Sequence, residues 1–392
     1  MVCCEPSRRR IRCDRARART CRRAQRARTR TDRVTLPDMF SSASRLTVRT
    51  AVTFLRLIQS TEPSGENKYM LRLKASTKTI LGSAVALALL YGGAVQAQTV
   101  KVLSIVDHPA LDAIRDGVRD ELKANGYDAD KNLKWEYQSA QGNTGTAAQI
   151  ARKFVGDQPN VIVAIATPSA QAVVAATKSV PVVYSGVTDP VAAQLVKSWG
   201  ASGTNVTGVS DKLPLDKQVA LIKRVVPKAK NVGMVYNPGE ANSVVVVKEL
   251  KELLAKEGLT LKEAAAPRTV DIGPAAKSLI GKVDVIYTNT DNNVVSAYES
   301  LVKVANESKI PLVASDTDSV KRGAIAALGI NYGDLGHQTG KVVLRILKGE
   351  KPGAIASQTS DNLELFVNTG AAEKQGVTLS PDLIKEAKTV IK

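Results

Sequence analysis

The sequence predicts an α/β protein of two lobes, each a parallel sheet covered by helices on both faces. From Val100 onward, short apolar runs alternate with segments of helical spacing. The 295 residues from 98 to 392 fit two such lobes better than one. No Pro/Gly/Ser-rich linker divides them. The second sheet therefore has to be reached through tight crossovers, with lobes built from discontinuous segments.

The elements follow in order. "VKVLSIV" at 100–106 is a strand, and Leu111, Ile114, Val118 and Leu122 mark a helix that Asn125-Gly126 ends. "VIVAIA" at 161–166 reads as a buried parallel strand, followed by a helix that starts around Pro168. Pro168 suits the first helical position, which puts Thr167 at the N-cap. "VPVVYSGV" and "NVTGVS" are further strands, and Leu215, Val219, Ile222 and Val226 form an amphipathic face. "NVGMVYN" precedes a helix over 240–257, closed by Gly258, and "VDVIYTN" precedes one around Ala297, Leu301 and Val304. "IPLVAS", "GAIAALGI" and a helix at 334–348 complete the alternation.

The formal charge of +18 suggests a nucleic-acid partner only until the chain is divided. Residues 1–69 hold 17 Lys/Arg against 6 Asp/Glu, whereas 98–392 hold 35 against 31. The body is nearly balanced, and no nucleic-acid partner is expected. Residues 1–69, "RRRIRCDRARARTCRR" included, have no apolar period that could bury a face. This segment carries all four cysteines, Cys3, Cys4, Cys13 and Cys21, at spacings that match no zinc pattern. It is expected to be disordered, non-native upstream sequence brought in by a start codon assigned too early. From Met70 the chain has the parts of a secretory signal over 70–97: basic Arg72, Lys74 and Lys78, an apolar core from Ile80 to Leu90, and a Val95-Gln96-Ala97 cleavage site. Export is expected, and the exported chain would be free of cysteine.

Seven polar clusters stand at the carboxyl ends of the strands, where ligands sit in open α/β sheets. They are Asp107-His108-Pro109, Thr167-Pro168-Ser169, Thr188-Asp189-Pro190, Ser210-Asp211, Asn237-Pro238-Gly239-Glu240, Asn289-Thr290-Asp291-Asn292 and Asp316-Thr317-Asp318. None contains Lys or Arg, which argues against a phosphorylated ligand. Hydroxyls and helix N-termini suit one carboxylate, and aspartates suit one ammonium. That is the polarity of a zwitterionic amino acid. Thr167 and Ser169 either cap their own helix or contribute to such an anion site.

Catalysis finds little support in the sequence: Asp291 among amides could serve as a base, but no nucleophile or cofactor motif accompanies it. His108 and His337 have no second His or Cys at metal-ligand spacing. There is no Gly-x-Ser-x-Gly elbow, Walker loop or dinucleotide fingerprint. No enzyme activity, cofactor or metal is expected.

"HPALDAIRDGVRDELKANGY", "IATPSAQAVVAATKSVPVVYSGVTDPVAAQLV", "NVTGVSD", "VGMVYNPGEANSV" and "VNTGAAEKQGVTLSPDLIKEA" carry a resemblance. Over nearly all of 99–390 the chain resembles the ABC-transporter substrate-binding family that includes tryptophan- and tyrosine-binding lipoproteins. The resemblance implies a type I periplasmic binding protein, with two doubly wound lobes joined by a three-strand hinge and a ligand in the cleft. No cysteine follows the signal cleavage site, unlike in the lipoprotein members, which implies a soluble periplasmic protein. The first lobe is expected at 98–210 plus 324–350 and the second at 211–323 plus 351–392. The ligand carboxylate is assigned to Thr167, Ser169 and the N–H groups that follow Pro168, with Thr188 close by. Asp291, with Asn289 and Asn292, is assigned the ammonium, and Asp189 is the rival. Glu240, Asn242 and Ser243 close the cleft from the second lobe, with Asp316 at the rim. Leu111 and Ala110 either touch the ligand side chain or belong to the helix core. The implied partners are an amino acid, aromatic or large apolar, and the permease subunits of an ABC importer. The membrane would be met only through the permease, and the protein would be a monomer. A sensor module presenting the same fold to a receptor is the alternative.

Overall fold

Two sheets with the same winding order lie at the centre of the fold. The computed structural model describes residues 97–360 and 362–392; the arginine-rich segment and the signal-like stretch up to Gln96 lie outside them. In the first lobe run β1 (Gln98–Ser104), β2 (Leu133–Ser139), β3 (Val161–Ile165), β4 (Val182–Ser185) and β5 (Val206–Ser210). In the second run β6 (Asn231–Tyr236), β7 (Thr260–Ala265), β8 (Val285–Thr288), β9 (Leu312–Asp316) and β10 (Ala326–Ile330). The order β2-β1-β3-β4-β5 is repeated as β7-β6-β8-β9-β10, and every neighbouring pair within these ten strands is parallel. The order of strands reverses between β1 and β3 in one lobe and between β6 and β8 in the other. Those reversals are where doubly wound sheets open a crevice.

Helices cover both sheets. α1 (Pro109–Ala124), α2 (Thr144–Gly156) and α3 (Thr167–Ala176) belong to the first lobe. α4 (Leu215–Val225), α5 (Ala241–Lys256), α6 (Ile272–Ser278), α7 (Asn292–Ser296), α8 (Tyr298–Ser308) and α9 (Thr317–Lys321) belong to the second. α10 (Tyr332–Leu347) returns to pack along α1 in the first lobe, and its Val342, Val343 and Leu344 join that lobe's core. The second sheet has an apolar cluster on each face: Ile222, Met234, Leu250 and Leu254 lie on one, and Ile286, Tyr298, Leu301 and Val304 on the other.

The chain crosses between lobes three times, at 211–214, at Asn331, and between β11 (Gln358–Thr359) and β12 (Leu363–Asn368). These crossings correct the expected lobe boundaries. The 326–330 strand joins the second sheet rather than the first, and β11 pairs with β5 in the first sheet rather than opening the second lobe at 351. Alternating apolar runs fix where strands are, not which sheet they join. β12 is also antiparallel to β10, with Ile330 opposite Leu363, because β10 ends at the hinge and β12 starts there. The last elements are α11 (Thr369–Lys374), α12 (Pro381–Glu386) and β13 (Thr389–Ile391), which lies beside β12.

The α1–α10 contact rests on glycine. A Cβ on Gly336 would lie 2.5 Å from the Ile114 carbonyl oxygen, and one on Gly117 would lie 2.6 Å from that of Gly333. The helices touch backbone to backbone, so an added methyl must force them apart. Gly336→Ala is expected to destabilise the protein by about 1–3 kcal/mol, the usual cost of overpacking. Urea unfolding checks this, and a midpoint equal to the native one would show that the helices yield freely.

Candidate functional site

The two reversals of strand order face each other across the cleft. From the first lobe, β3 delivers the chain to Ala166, whose backbone has φ 71 and ψ 157. That region is essentially reserved for glycine, and holding another residue there costs on the order of 1–3 kcal/mol. Ala166 N–H donates to the Ser185 carbonyl at 2.9 Å, and Ala170 N–H closes the first turn on Ala166. Thr167 is consequently the first residue of α3 and not its N-cap, and no side chain caps this helix. The amides of Thr167 and Ser169 precede the first intrahelical bond, and Pro168 between them has no N–H. Thr167 Oγ1 and Ser169 Oγ are fully buried and have no hydrogen-bond partner. The capping alternative for these hydroxyls does not hold.

From the second lobe, β6 and β8 deliver a network organised around Asp291, which has no exposed surface. Its Oδ1 accepts from Val294 N–H at 3.0 Å and so caps α7. Its Oδ2 accepts from Asn237 N–H at 2.7 Å and from Ser243 Oγ at 2.6 Å. The Ser243 proton is thereby used, and its oxygen accepts from Asn289 Nδ2 at 3.1 Å. This sequence of donors leaves Asn289 Oδ1 buried and unpartnered. Asn242 is oriented in the same way: its Nδ2 donates to Glu240 Oε2 and to the Thr290 carbonyl, both at 3.0 Å, which leaves Oδ1 unpartnered. Glu240 Oε2 also accepts from Asn292 Nδ2 at 2.6 Å and from the Asn292 amide at 3.2 Å. Burial, and then the neighbouring Asp291 charge, push the Glu240 carboxyl up to about 7. Burial raises Asp291 as well, against the pull of its donors.

The other expected residues fall elsewhere. Asp316 is a buried N-cap of α9, accepting from Ser319 N–H at 2.8 Å and Ser319 Oγ at 2.6 Å, rather than a rim group. Asp189 accepts from the amides of Val191 and Ala192 and from Lys212 Nζ at 3.2 Å, so its charge already has a cation. Ala110 and Leu111 lie in the core of the first lobe. Thr188 Oγ1 lies 3.0 Å from Thr290 Oγ1, a direct contact between the lobes.

Sequence reasoning missed the basic residues at the cleft edge. Lys212, beside the Ser210-Asp211 cluster, joins Asp189 of the first lobe to Glu249 of α5, at 3.0 Å. Arg322, which follows α9, pairs with Glu299 at 2.7 Å, and its charge reaches across to His108. Burial and that charge push His108 down to about 3, so the imidazole that caps α1 is neutral. Both cations are paired within the protein, so neither adds a free charge for a phosphate. Between the hinge and the second sheet lies a cavity of about 10 Å³, walled by Leu213, Leu215, Val245, Val246 and Tyr287.

Residues 99–391 match the family of ABC transporter substrate binding proteins. The chain belongs to that family. It is 40% identical over 293 residues to the tyrosine-binding protein of Clostridioides difficile, covering 74% of this chain and 85% of that one. Its fold superposes with a TM-score of 0.74 on a conserved domain protein from Vibrio cholerae, at 46% identity, covering 75% of this chain and all of that one. An ABC domain from Streptococcus pneumoniae in complex with L-Trp gives a TM-score of 0.73 at 36% identity, with 76% and 100% covered. The fold is that of the type I periplasmic binding proteins. Among the described residues, no helix of this substrate-binding chain is long and apolar enough to cross a membrane.

The buried Glu240 makes a measurable statement about pH. Between the usual glutamate range and about 7 it is protonated when folded and ionised when unfolded. The stability contribution of this group is therefore greatest at low pH and falls as pH rises to about 7. Glu240→Gln lacks that slope. Urea titrations at pH 4, 5, 6, 7 and 8 are expected to show the variant gaining on the native protein by about 3 kcal/mol over this window. Parallel curves would mean that Glu240 ionises normally.

Proposed function

We propose that the protein receives a zwitterionic amino acid with an aromatic or large apolar side chain and delivers it, as a periplasmic monomer, to the permease of an ABC importer. One observation carries this reading. Among the buried groups without a partner, the Thr167 and Ser169 hydroxyls of the first lobe can donate and stand at a helix N-terminus, and Asn242 Oδ1 and Asn289 Oδ1 of the second lobe can only accept, although the second lobe also keeps the unpartnered hydroxyls of Tyr287 and Ser315. A carboxylate fits the first set and an ammonium fits the second. Glu240, protonated below about pH 7 in the ligand-free protein, offers a further carboxyl on the ammonium side that an arriving cation would favour as the anion, and Asp291 acts through Ser243 and Asn289 rather than by touching the ligand. The apolar walls at Leu213, Leu215, Val245 and Val246 suit the side chain. The names of the relatives, a tyrosine-binding protein and a domain holding L-Trp, agree with this ligand class. The signal-like stretch at 70–97 supports export.

Calorimetry with L-tryptophan, L-tyrosine and L-leucine, each against its amide, tests the reading. The amide keeps the ammonium and side chain but loses the negative charge at α3. It is expected to bind about 2–5 kcal/mol more weakly than the acid. Thr167→Ala with Ser169→Ala should cost the acid about tenfold or more while sparing the amide. Equal binding of acid and amide would contradict the proposal.

A further inference from the structure

The hinge holds a buried carboxylate that the ligand reading does not use. Asp211 stands in the first crossing and is 3% exposed. It accepts from Tyr332 OH, at the second crossing, at 3.0 Å and from Thr188 Oγ1 at 3.1 Å. A carboxylate only accepts, so both hydroxyl protons point at Asp211. Thr188 Oγ1, its own proton committed, can only accept from Thr290 Oγ1, 3.0 Å away in the other lobe. The carboxylate thus sets one direction for the whole chain of hydroxyls, from Thr290 through Thr188 to Asp211.

We propose that Asp211 is a closed-state lock. By polarising Thr188 it creates an acceptor that only Thr290 of the approaching second lobe fills, so closure is stabilised whether or not a ligand is present. Thr188, Asp211 and Tyr332 lie on the first lobe or on the segments that join it, so within this chain of hydroxyls parting the lobes breaks the Thr290 link alone. Such a contact favours one of two arrangements and shifts their ratio without touching the ligand.

Single-molecule energy transfer between one bio-orthogonal label on each lobe of the ligand-free protein reads that ratio. Thr290 is only half-buried, so its variants leave the core alone. Thr290→Val is expected to lower the closed-to-open ratio about fivefold, the worth of one ordinary hydrogen bond. Thr290→Ser, which keeps the hydroxyl, should preserve the ratio. Asp211→Asn removes the charge that polarises Thr188 and should lower the ratio by less than Thr290→Val does, because a reversed Thr188 proton can still be donated to Thr290 Oγ1; in the Thr290→Val background it should lower the ratio no further. A native ratio that Thr290→Val leaves unchanged, a double variant whose losses add, or a ligand-free protein that never closes would overturn the lock. None of these readouts involves ligand, so they stand apart from any failure of the amino-acid reading.

Discussion

A buried carboxylate with no cation beside it, Asp291, fixes the direction of the polar groups around it. It can be held there only by donors, and it takes them from the Val294 and Asn237 amides and the Ser243 hydroxyl. Of these donors the Ser243 hydroxyl accepts in turn from Asn289 Nδ2, and the sequence ends at Asn289 Oδ1, buried with nothing to accept from. Glu240 repeats the pattern through Asn242 and Asn292. Asn242 Oδ1 and Asn289 Oδ1 are therefore left unpartnered as a consequence of how the carboxylates of the second lobe are held.

The first lobe presents donors for a different reason. β3 enters α3 through a strained Ala166 with no capping side chain, and two buried hydroxyls in the first turn of the helix stay unpaired. A buried polar group without a partner costs about 1–3 kcal/mol, and strain at Ala166 adds to that. A ligand that supplies a carboxylate on one side and an ammonium on the other relieves these costs only when both lobes reach it. Affinity and closure are thus the same event seen from two sides.

Much of this was legible in the sequence. Apolar periods placed the helices at 241–256 and 332–347 within two residues of their observed ends, because buried faces leave a strong pattern. The clusters after β3, β6 and β8 stand out because polar residues end abruptly apolar runs. What the sequence does not encode is the partner of each group. Asp291, Asp189 and Asp316 look alike as residues, yet one organises a network, one is paired with Lys212, and one caps its helix. The half-buried strands β2 and β7 left no apolar run to recognise. Lobe membership of 326–330 was lost for a similar reason, since a buried strand reads the same in either sheet.

A crystal structure of the protein with its bound amino acid tests the central claim most directly. The account requires the ligand carboxylate within hydrogen-bond distance of Thr167 Oγ1 and Ser169 Oγ, and the ammonium within that distance of Asn242 Oδ1 or Asn289 Oδ1. A ligand seated in the cleft with those four atoms still unpartnered would contradict it.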